Sequence, residues 1–261
     1  MSGDPVRLER EPGGPAVVTF DSPPLNLFDA ALGEGLKAAV AALAAEPPRA
    51  VLFRAEGRAF TGGVDVNVFA ALEGPEQASA LFTDLMDMAR AVEALPCPTL
   101  LAAHALTLTW AFELALACDL ILAAESAAFG LVEARVGLTP AMGGPQRLAE
   151  RAGTGRAREL VMTGDLYSAE TLERWGVVNR VLPDDGFDAA ARDLAAALAA
   201  GPTRAHAATK AILRSYLEGG VDRANAETPA IAGALWDTED LRDAVRAFLD
   251  TGPGSATFQG R

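Results

Sequence analysis

Apolar positions follow two rhythms along the 261 residues. Val6 to Glu11 and Ala16 to Phe20 flank Pro12-Gly13-Gly14-Pro15, which predicts two short strands joined as a hairpin. After Pro23-Pro24, Leu32, Leu36, Val40 and Leu43 recur at intervals of 4, 4 and 3, the stripe of an amphipathic helix. Ala50 to Phe53 is an unbroken apolar run and reads as a strand buried on both faces, so strand, helix and strand predict a parallel crossover. A Gly-containing loop, Gly57 to Asp65, precedes a helical stretch from about Gln77 to Leu95, which Pro96 and Pro98 end before a Thr99 to Ala103 strand. Trp110 to Cys118 has helical composition, Asp119 to Ala124 reads as another buried strand, and Ala128 to Gly130 as a short one beyond a turn. Alternation continues to about Val181.

From Asp188 the character changes to Ala-rich helical segments at 188–200, 203–217 and 238–250, separated by Gly201-Pro202 and Gly219-Gly220. The expected organisation is a body over residues 1–187 and a helical region over 188–261. In the last segment Leu241, Val245, Phe248 and Leu249 share an apolar face, suited to docking on another subunit, while Glu239 and Asp240 sit where the helix dipole favours negative charge.

Half of the residues are hydrophobic, enough for a substantial core. Lys+Arg 22 against Asp+Glu 35 gives a net charge of -13, with the acidic residues scattered, so nucleic acid and anionic membrane surfaces are poor partners. An anionic ligand needs a local cluster of Arg, Lys or backbone N–H groups. Leu100 to Cys118, the most membrane-like stretch, holds His104 and Glu113 and reads as a buried segment of a core. Met1 to Arg10 lacks the apolar run of a secretory signal. Cys97 and Cys118 form no CxxC pair, and His104 and His206 are too few for a His-rich metal site, so a cytoplasmic setting and no metal are expected.

Three places break the packing logic. Ala59-Phe60-Thr61-Gly62-Gly63-Val64-Asp65 follows a strand, and its paired glycines permit backbone in which N–H groups point toward an oxyanion; it also suits an ordinary turn. Glu113 lies within Trp110-Ala111-Phe112-Glu113-Leu114-Ala115-Leu116-Ala117-Cys118, where it either faces solvent or is buried with a raised pKa. Glu133, in Phe129-Gly130-Leu131-Val132-Glu133, is a surface loop residue or the second member of a carboxyl pair. Two carboxyls in environments that separate their pKa values can serve as acid and base at neutral pH, as addition of water to a double bond requires.

With these stretches, Gly137-Leu138-Thr139-Pro140-Ala141-Met142-Gly143-Gly144-Pro145-Gln146-Arg147-Leu148, Gly176-Val177-Val178-Asn179 and Phe258-Gln259-Gly260-Arg261, the chain resembles the enoyl-CoA hydratase/isomerase (crotonase) superfamily over nearly its whole length. The resemblance implies an α/β fold, a crotonase-like spiral of repeated strand-strand-helix units with a C-terminal helical region that forms a homotrimer or a dimer of trimers. It implies an acyl-CoA thioester as substrate, with no separate cofactor, whose carbonyl is held by the backbone N–H groups of Val64 and Trp110. Glu113 and Glu133, twenty residues apart, match the two carboxylates of the hydratases. Hydration of a trans-2-enoyl-CoA to a 3-hydroxyacyl-CoA is therefore the leading expectation. Contacts to the acyl-CoA are expected from Leu25, Leu27, Arg58, Gly62 and Gly63, and from Asp65, Val66, Val132 and Leu138.

Two departures stand out. Where the family shows glycines before the first glutamate, this chain has Leu106-Thr107-Leu108-Thr109-Trp110-Ala111-Phe112, and Trp110 either crowds the thioester or points into the core. A basic residue that often helps bind CoA is replaced within Asp250-Thr251-Gly252-Pro253-Gly254, which shifts the expected phosphate recognition onto Arg54, Arg58 and backbone groups. A double-bond isomerase, or a non-catalytic acyl-CoA-binding protein with a pocket altered by Trp110, are the alternatives. His104, His206 and Cys118 read as structural, and Gln146 and Arg147 as braces of the fold.

Overall fold

The computed structural model describes residues 4–261, so Met1 to Gly3 of the N-terminal stretch lie outside the described residues. Strands β1 (Val6–Arg10) and β2 (Ala16–Phe20) form the expected hairpin, with Val6 opposite Phe20 and Arg10 opposite Ala16. Helix α1 (Ala30–Ala45), whose first turn is capped by the Asp29 carboxylate accepting from Leu32 N–H, carries the chain over to β3 (Val51–Ala55), parallel to β2. A short α2 (Asn67–Ala70) and a long α3 (Pro75–Glu93) lead to β4 (Thr99–Ala103), again parallel. Next come β5 (Leu106–Leu108), α4 (Thr109–Ala117), β6 (Leu120–Ala124) and β7 (Ala128–Gly130). A 3-10 turn at Glu133–Val136 precedes α5 (Gly144–Ala152), α6 (Thr154–Thr163), β8 (Tyr167–Ser168), α7 (Ala169–Arg174) and β9 (Arg180–Leu182). Helices α8 (Phe187–Ala199), α9 (Thr203–Gly233) and α10 (Glu239–Thr251) complete the chain.

The large sheet has the order β1-β2-β3-β4-β6-β9, and a small one the order β5-β7-β8. Two isolated bridges, Phe28 with Val64 and Thr61 with Thr107, add further pairing of the same kind beside the small sheet. Each turn of the chain thus gives one strand to the large sheet, one strand or bridge to this second layer, and then a helix. The units are β2, Phe28 and α1; β3, Thr61 with Val64, and α2–α3; β4, β5 and α4; and β6, β7 and the 3-10 turn. This is the strand-strand-helix spiral of the expected α/β fold.

Period-two alternation explains why both faces of the large sheet are covered. Val17, Leu52, Leu100, Ala102, Leu122 and Ala124 point to one side, where Phe187, Ala191 and Ala195 of α8 pack on them. Their neighbours Val18, Phe20, Phe53, Leu101, Ala103 and Ile121 point to the other, against α1, α3 and α4. The first helix after residue 187 therefore packs on the body. All nine residues of α4 are buried, because it lies between the two sheets with α3 and α5 alongside. The Leu100 to Cys118 stretch is thus an interior strand, strand and helix, and among the described residues no helix is long and apolar enough to cross a membrane.

Helix α9 differs from expectation. The break foreseen at Gly219-Gly220 is present as a left-handed Gly220 at φ 73°, but the helix resumes and runs on to Gly233 through Pro229. The expected segment ends at residue 217 because a glycine pair is a common helix stop, whereas here the helix resumes beyond it.

The loop that closes the first unit is fixed by Asn26, buried at φ 48°. Its Nδ2 donates to the carbonyls of Glu56, Ala59 and Phe60 at 2.9, 3.2 and 3.0 Å, and its Oδ1 accepts from Ser22 N–H at 2.6 Å. Thr61 Oγ1 in turn donates to the Asn26 carbonyl at 2.7 Å. One side chain ties the segment before α1 to the loop after β3. Replacement Asn26→Ala leaves buried carbonyls unpaired and puts alanine in left-handed backbone, so a loss of about 2 kcal/mol or more in unfolding free energy is expected. Urea denaturation measures it; wild-type stability would contradict the anchoring role.

Candidate active site

A cavity of about 290 Å³ opens at the start of α4. Leu81, Phe82 and Leu85 of α3 and Val68 and Phe69 of α2 supply its apolar wall; the 3-10 turn and the segment 138–142 close it from the other side. Into this surface project two carboxyls, Glu113 and Glu133. An apolar recess with a few convergent polar groups is the usual form of a small-molecule site.

Glu113 sits one helical turn from the α4 N-terminus and is 3% exposed. A carboxyl in such surroundings needs donors, and two backbone N–H groups supply them: Met142 at 2.9 Å and Gly144 at 2.7 Å, both to Oε1. Gly144 can approach this closely because it has no side chain; a Cβ there would stand 3.0 Å from Glu113 Oε1. The donor loop is itself held. Arg147, nearly buried, forms a two-pronged ion pair with Glu93 at 2.6 Å on each prong and donates from Nη1 to the Met142 carbonyl at 2.9 Å. Gly143, at φ 102°, leaves room for that guanidinium, on which any Cβ would land.

Glu133 opens the 3-10 turn, and its Oε2 is buried without a hydrogen-bond partner among the described residues. Burial raises both carboxyls. Desolvation, and then the charge of Glu133, push Glu113 up to about 8 against the pull of its two N–H donors and Arg147. Desolvation pushes Glu133 up to about 7. The two titrate as a pair, and near neutrality the pair retains a proton that free carboxylates would release.

Val64 and Trp110 line the same cavity. In the Phe28–Val64 bridge, Phe28 N–H donates to the Gly63 carbonyl and Asp65 N–H to the Phe28 carbonyl, so the N–H and C=O of Val64 turn to the opposite side. The Trp110 N–H belongs to the first turn of α4, which has no preceding turn to accept it and no side-chain cap. The Trp110 indole points into the core: it is 2% exposed and its ring lies 5.0 Å from Phe20 and 5.7 Å from Phe28. Its Nε1 donates to Thr61 Oγ1 at 3.0 Å and to the Gly63 carbonyl at 3.1 Å. Of the two orientations open from sequence, the structure has the one in which the ring packs into the core.

The remaining expected contacts divide. Gly62, Val66, Val132 and Leu138 line the cavity. Leu25 and Leu27 lie behind it, each 3.3 Å from where a Gly62 Cβ would stand, and Gly63 faces Thr109. The Asp65 carboxylate accepts from Asn67 N–H at 2.9 Å and so begins α2. Arg58 is exposed outside the cavity lining. Arg54 is a correction: its guanidinium is bound to Asp188 and Glu56, each at 2.6 Å, and lines a separate polar recess with His104 and Ser126, so it is not free to take a phosphate. Sequence reasoning missed Thr109 and the donors Met142 and Gly144. The run of glycines at 143–144 was the available signal for the donors, and the replacement of glycines before Glu113 was the signal for Thr109.

Because the folded Glu113 binds a proton more tightly than its ordinary value of 4.5, its contribution to stability is full below that value and is lost as the pH rises toward about 8. Glu113→Gln keeps an acceptor for Met142 and Gly144 and cannot ionise. We expect its stability relative to the unchanged protein to rise by roughly 2 kcal/mol or more between pH 5 and pH 9. Thermal unfolding across that range tests this, and a difference independent of pH would show that Glu113 is not a buried, proton-retaining group.

Comparison with known proteins places the chain in a family. The family description "Enoyl-CoA hydratase/isomerase" matches residues 10–259. A Rhodobacter capsulatus protein named "Probable enoyl-CoA hydratase" is 34% identical with both chains fully covered. The Salmonella typhimurium "Carnitinyl-CoA dehydratase" is 34% identical over 77% of each chain. The solved structure of an enoyl-CoA hydratase from Bacillus anthracis superposes with a TM-score of 0.90 at 26% identity, covering 98% of this chain and 100% of that one. The chain belongs to the enoyl-CoA hydratase/isomerase family.

Proposed function

We propose that the protein hydrates a trans-2-enoyl-CoA to the 3-hydroxyacyl-CoA. The observation that carries this reading is that Glu113 and Glu133, both with raised pKa values, line one apolar cavity together with Val64 and Trp110. The thioester oxygen would accept from the Val64 and Trp110 N–H groups, which favour enolate over neutral carbonyl and so lower the barrier rather than only the ground state. By resemblance to the hydratases Glu113, with two N–H donors on Oε1, would be the carboxylate that takes a proton from water as the oxygen adds to C3; because burial raises Glu113 further than Glu133, this requires the proton held by the pair to sit on Glu133 in the reacting complex. Glu133, with no donor on Oε2, would keep its proton and deliver it to C2. Water is thereby added across the double bond, and one proton passes from Glu133 to C2 while another passes from water to Glu113. The relative named as a dehydratase fits the same bond change in reverse.

The reading needs no metal or redox group in any step. It carries with it a cytoplasmic location and a homotrimer or dimer of trimers, for which the exposed Trp236, Val245, Phe248 and Leu249 supply an apolar face on the C-terminal helices.

The decisive experiment follows crotonyl-CoA hydration as loss of conjugated-enoyl ultraviolet absorbance. Glu133→Gln is expected to lower the rate by about two orders of magnitude or more, and Glu113→Gln comparably, without loss of fold. Normal turnover in Glu133→Gln would refute the site. Isomerisation surviving Glu113→Gln would point to the isomerase, and binding indifferent to both substitutions without turnover to a non-catalytic member. Light scattering tests the assembly: Leu249→Asp is expected to lower the mass from that of a trimer or hexamer, and a monomeric parent protein would refute it.

A further inference from the structure

Thr109 bears a hydroxyl that the reaction above leaves unused. It opens α4 at φ 48°, left-handed backbone that a β-branched residue rarely adopts, at a point where the resemblance leads one to expect glycine. The residue is 6% exposed, and its Oγ1 is buried with no hydrogen-bond partner among the described residues. Buried hydroxyls normally find a partner, and one that does not calls for an explanation in strain or in a ligand. If Thr109 only filled space, valine would do so without desolvating a hydroxyl.

Its position indicates the ligand. Thr109 lines the cavity with Val64, Trp110 and Glu113. Through its own carbonyl carbon it is bonded to the Trp110 nitrogen. Its side chain also lies against Gly63, with Oγ1 3.5 Å from where a Gly63 Cβ would stand, and the carbonyl carbon of Gly63 bears the Val64 nitrogen. The residue that bears the hydroxyl is therefore bonded to one of the two N–H groups assigned to the thioester oxygen and packs beside the residue bonded to the other.

We propose that the Thr109 hydroxyl is a third hydrogen-bond donor to the thioester oxygen, beside the Val64 and Trp110 N–H groups. A hydroxyl rotor can turn its hydrogen toward an oxygen as that oxygen gains enolate charge, which makes the interaction stronger in the transition state than in the bound substrate. The proposal rests on the acyl-CoA reading of the cavity and names one more group of that site that touches substrate.

The test compares Thr109→Val and Thr109→Ala, which remove the hydroxyl, with Thr109→Ser, which keeps it. For crotonyl-CoA hydration, Thr109→Val and Thr109→Ala are expected to lose about 10- to 100-fold in kcat with KM within about threefold, and Thr109→Ser to stay within about threefold of the parent kcat. A second readout does not require turnover. Bound acetoacetyl-CoA should show less near-ultraviolet enolate absorbance in Thr109→Val, while that variant binds butyryl-CoA, which forms no stable enolate, as the parent does; this binding also reports that the variant is folded. Parent-like kcat and enolate absorbance in Thr109→Val would overturn the proposal, as would Thr109→Ser impaired as deeply as Thr109→Val. If the parent protein binds both thioesters but hydrates nothing, the hydration reading fails, and the enolate comparison still decides the role of Thr109.

Discussion

A carboxyl buried in an apolar helix is the constraint around which the molecule is arranged. Every residue of α4 is inside, so Glu113, 3% exposed, depends on Met142 and Gly144 N–H for its protein partners. Those donors exist only if the segment before α5 holds its conformation. Arg147 enforces it by gripping the Met142 carbonyl from one side while Glu93, at the end of α3, holds the guanidinium from the other. A side chain of α4, a loop and two flanking helices are thus locked by one charge, and the glycines at 143 and 144 are small because a guanidinium and a carboxyl occupy the space a Cβ would need.

The opposite wall of the cavity is built by the same logic with neutral groups. The Gly62-Gly63-Val64 turn is tied to the segment before α1 through the Phe28 bridge and to α4 through the Trp110 indole, which shares its hydrogen between Thr61 Oγ1 and the Gly63 carbonyl. The substitution that looked most threatening in the sequence therefore has a structural role. A large ring placed at the helix start packs inward among Phe20, Phe28 and Phe60, and holds the loop that presents Val64.

Local pattern made much of this legible. Alternating apolar residues marked the strands, and the four-residue stripe of α1 marked its buried face, because each depends on periodicity within one element. Glu113 and Glu133 stood out because a carboxyl among apolar residues breaks that periodicity. Their convergence was not readable from the residues themselves: it depends on the crossover from β6 to β7 and on the small sheet, whose strands of two or three residues carry almost no pattern. Arg54 illustrates the converse. An arginine on a strand looked available for phosphate, but Asp188 lies 134 residues away and its approach is set by the packing of α8 on the sheet. The continuation of α9 beyond residue 217 was missed for a third reason, since a Gly219-Gly220 pair reads as a helix end although the chain resumes the helix after Gly220.

Two features of the cavity bear on its charge. The protein as a whole is strongly acidic, yet the cavity raises the pKa of its own carboxyls and so reduces their negative charge near neutrality. That reduction matters for any reaction in which an oxygen gains charge nearby, because a second full negative charge in a desolvated site would oppose it. In the proposed reaction, burial of Glu113 and Glu133 and the N–H groups at the start of α4 would act in the same direction: one lowers the negative charge already present, the other offers partial positive charge where more would form. On that reading, a site at the start of a fully buried helix with no side-chain cap would meet both requirements with one element.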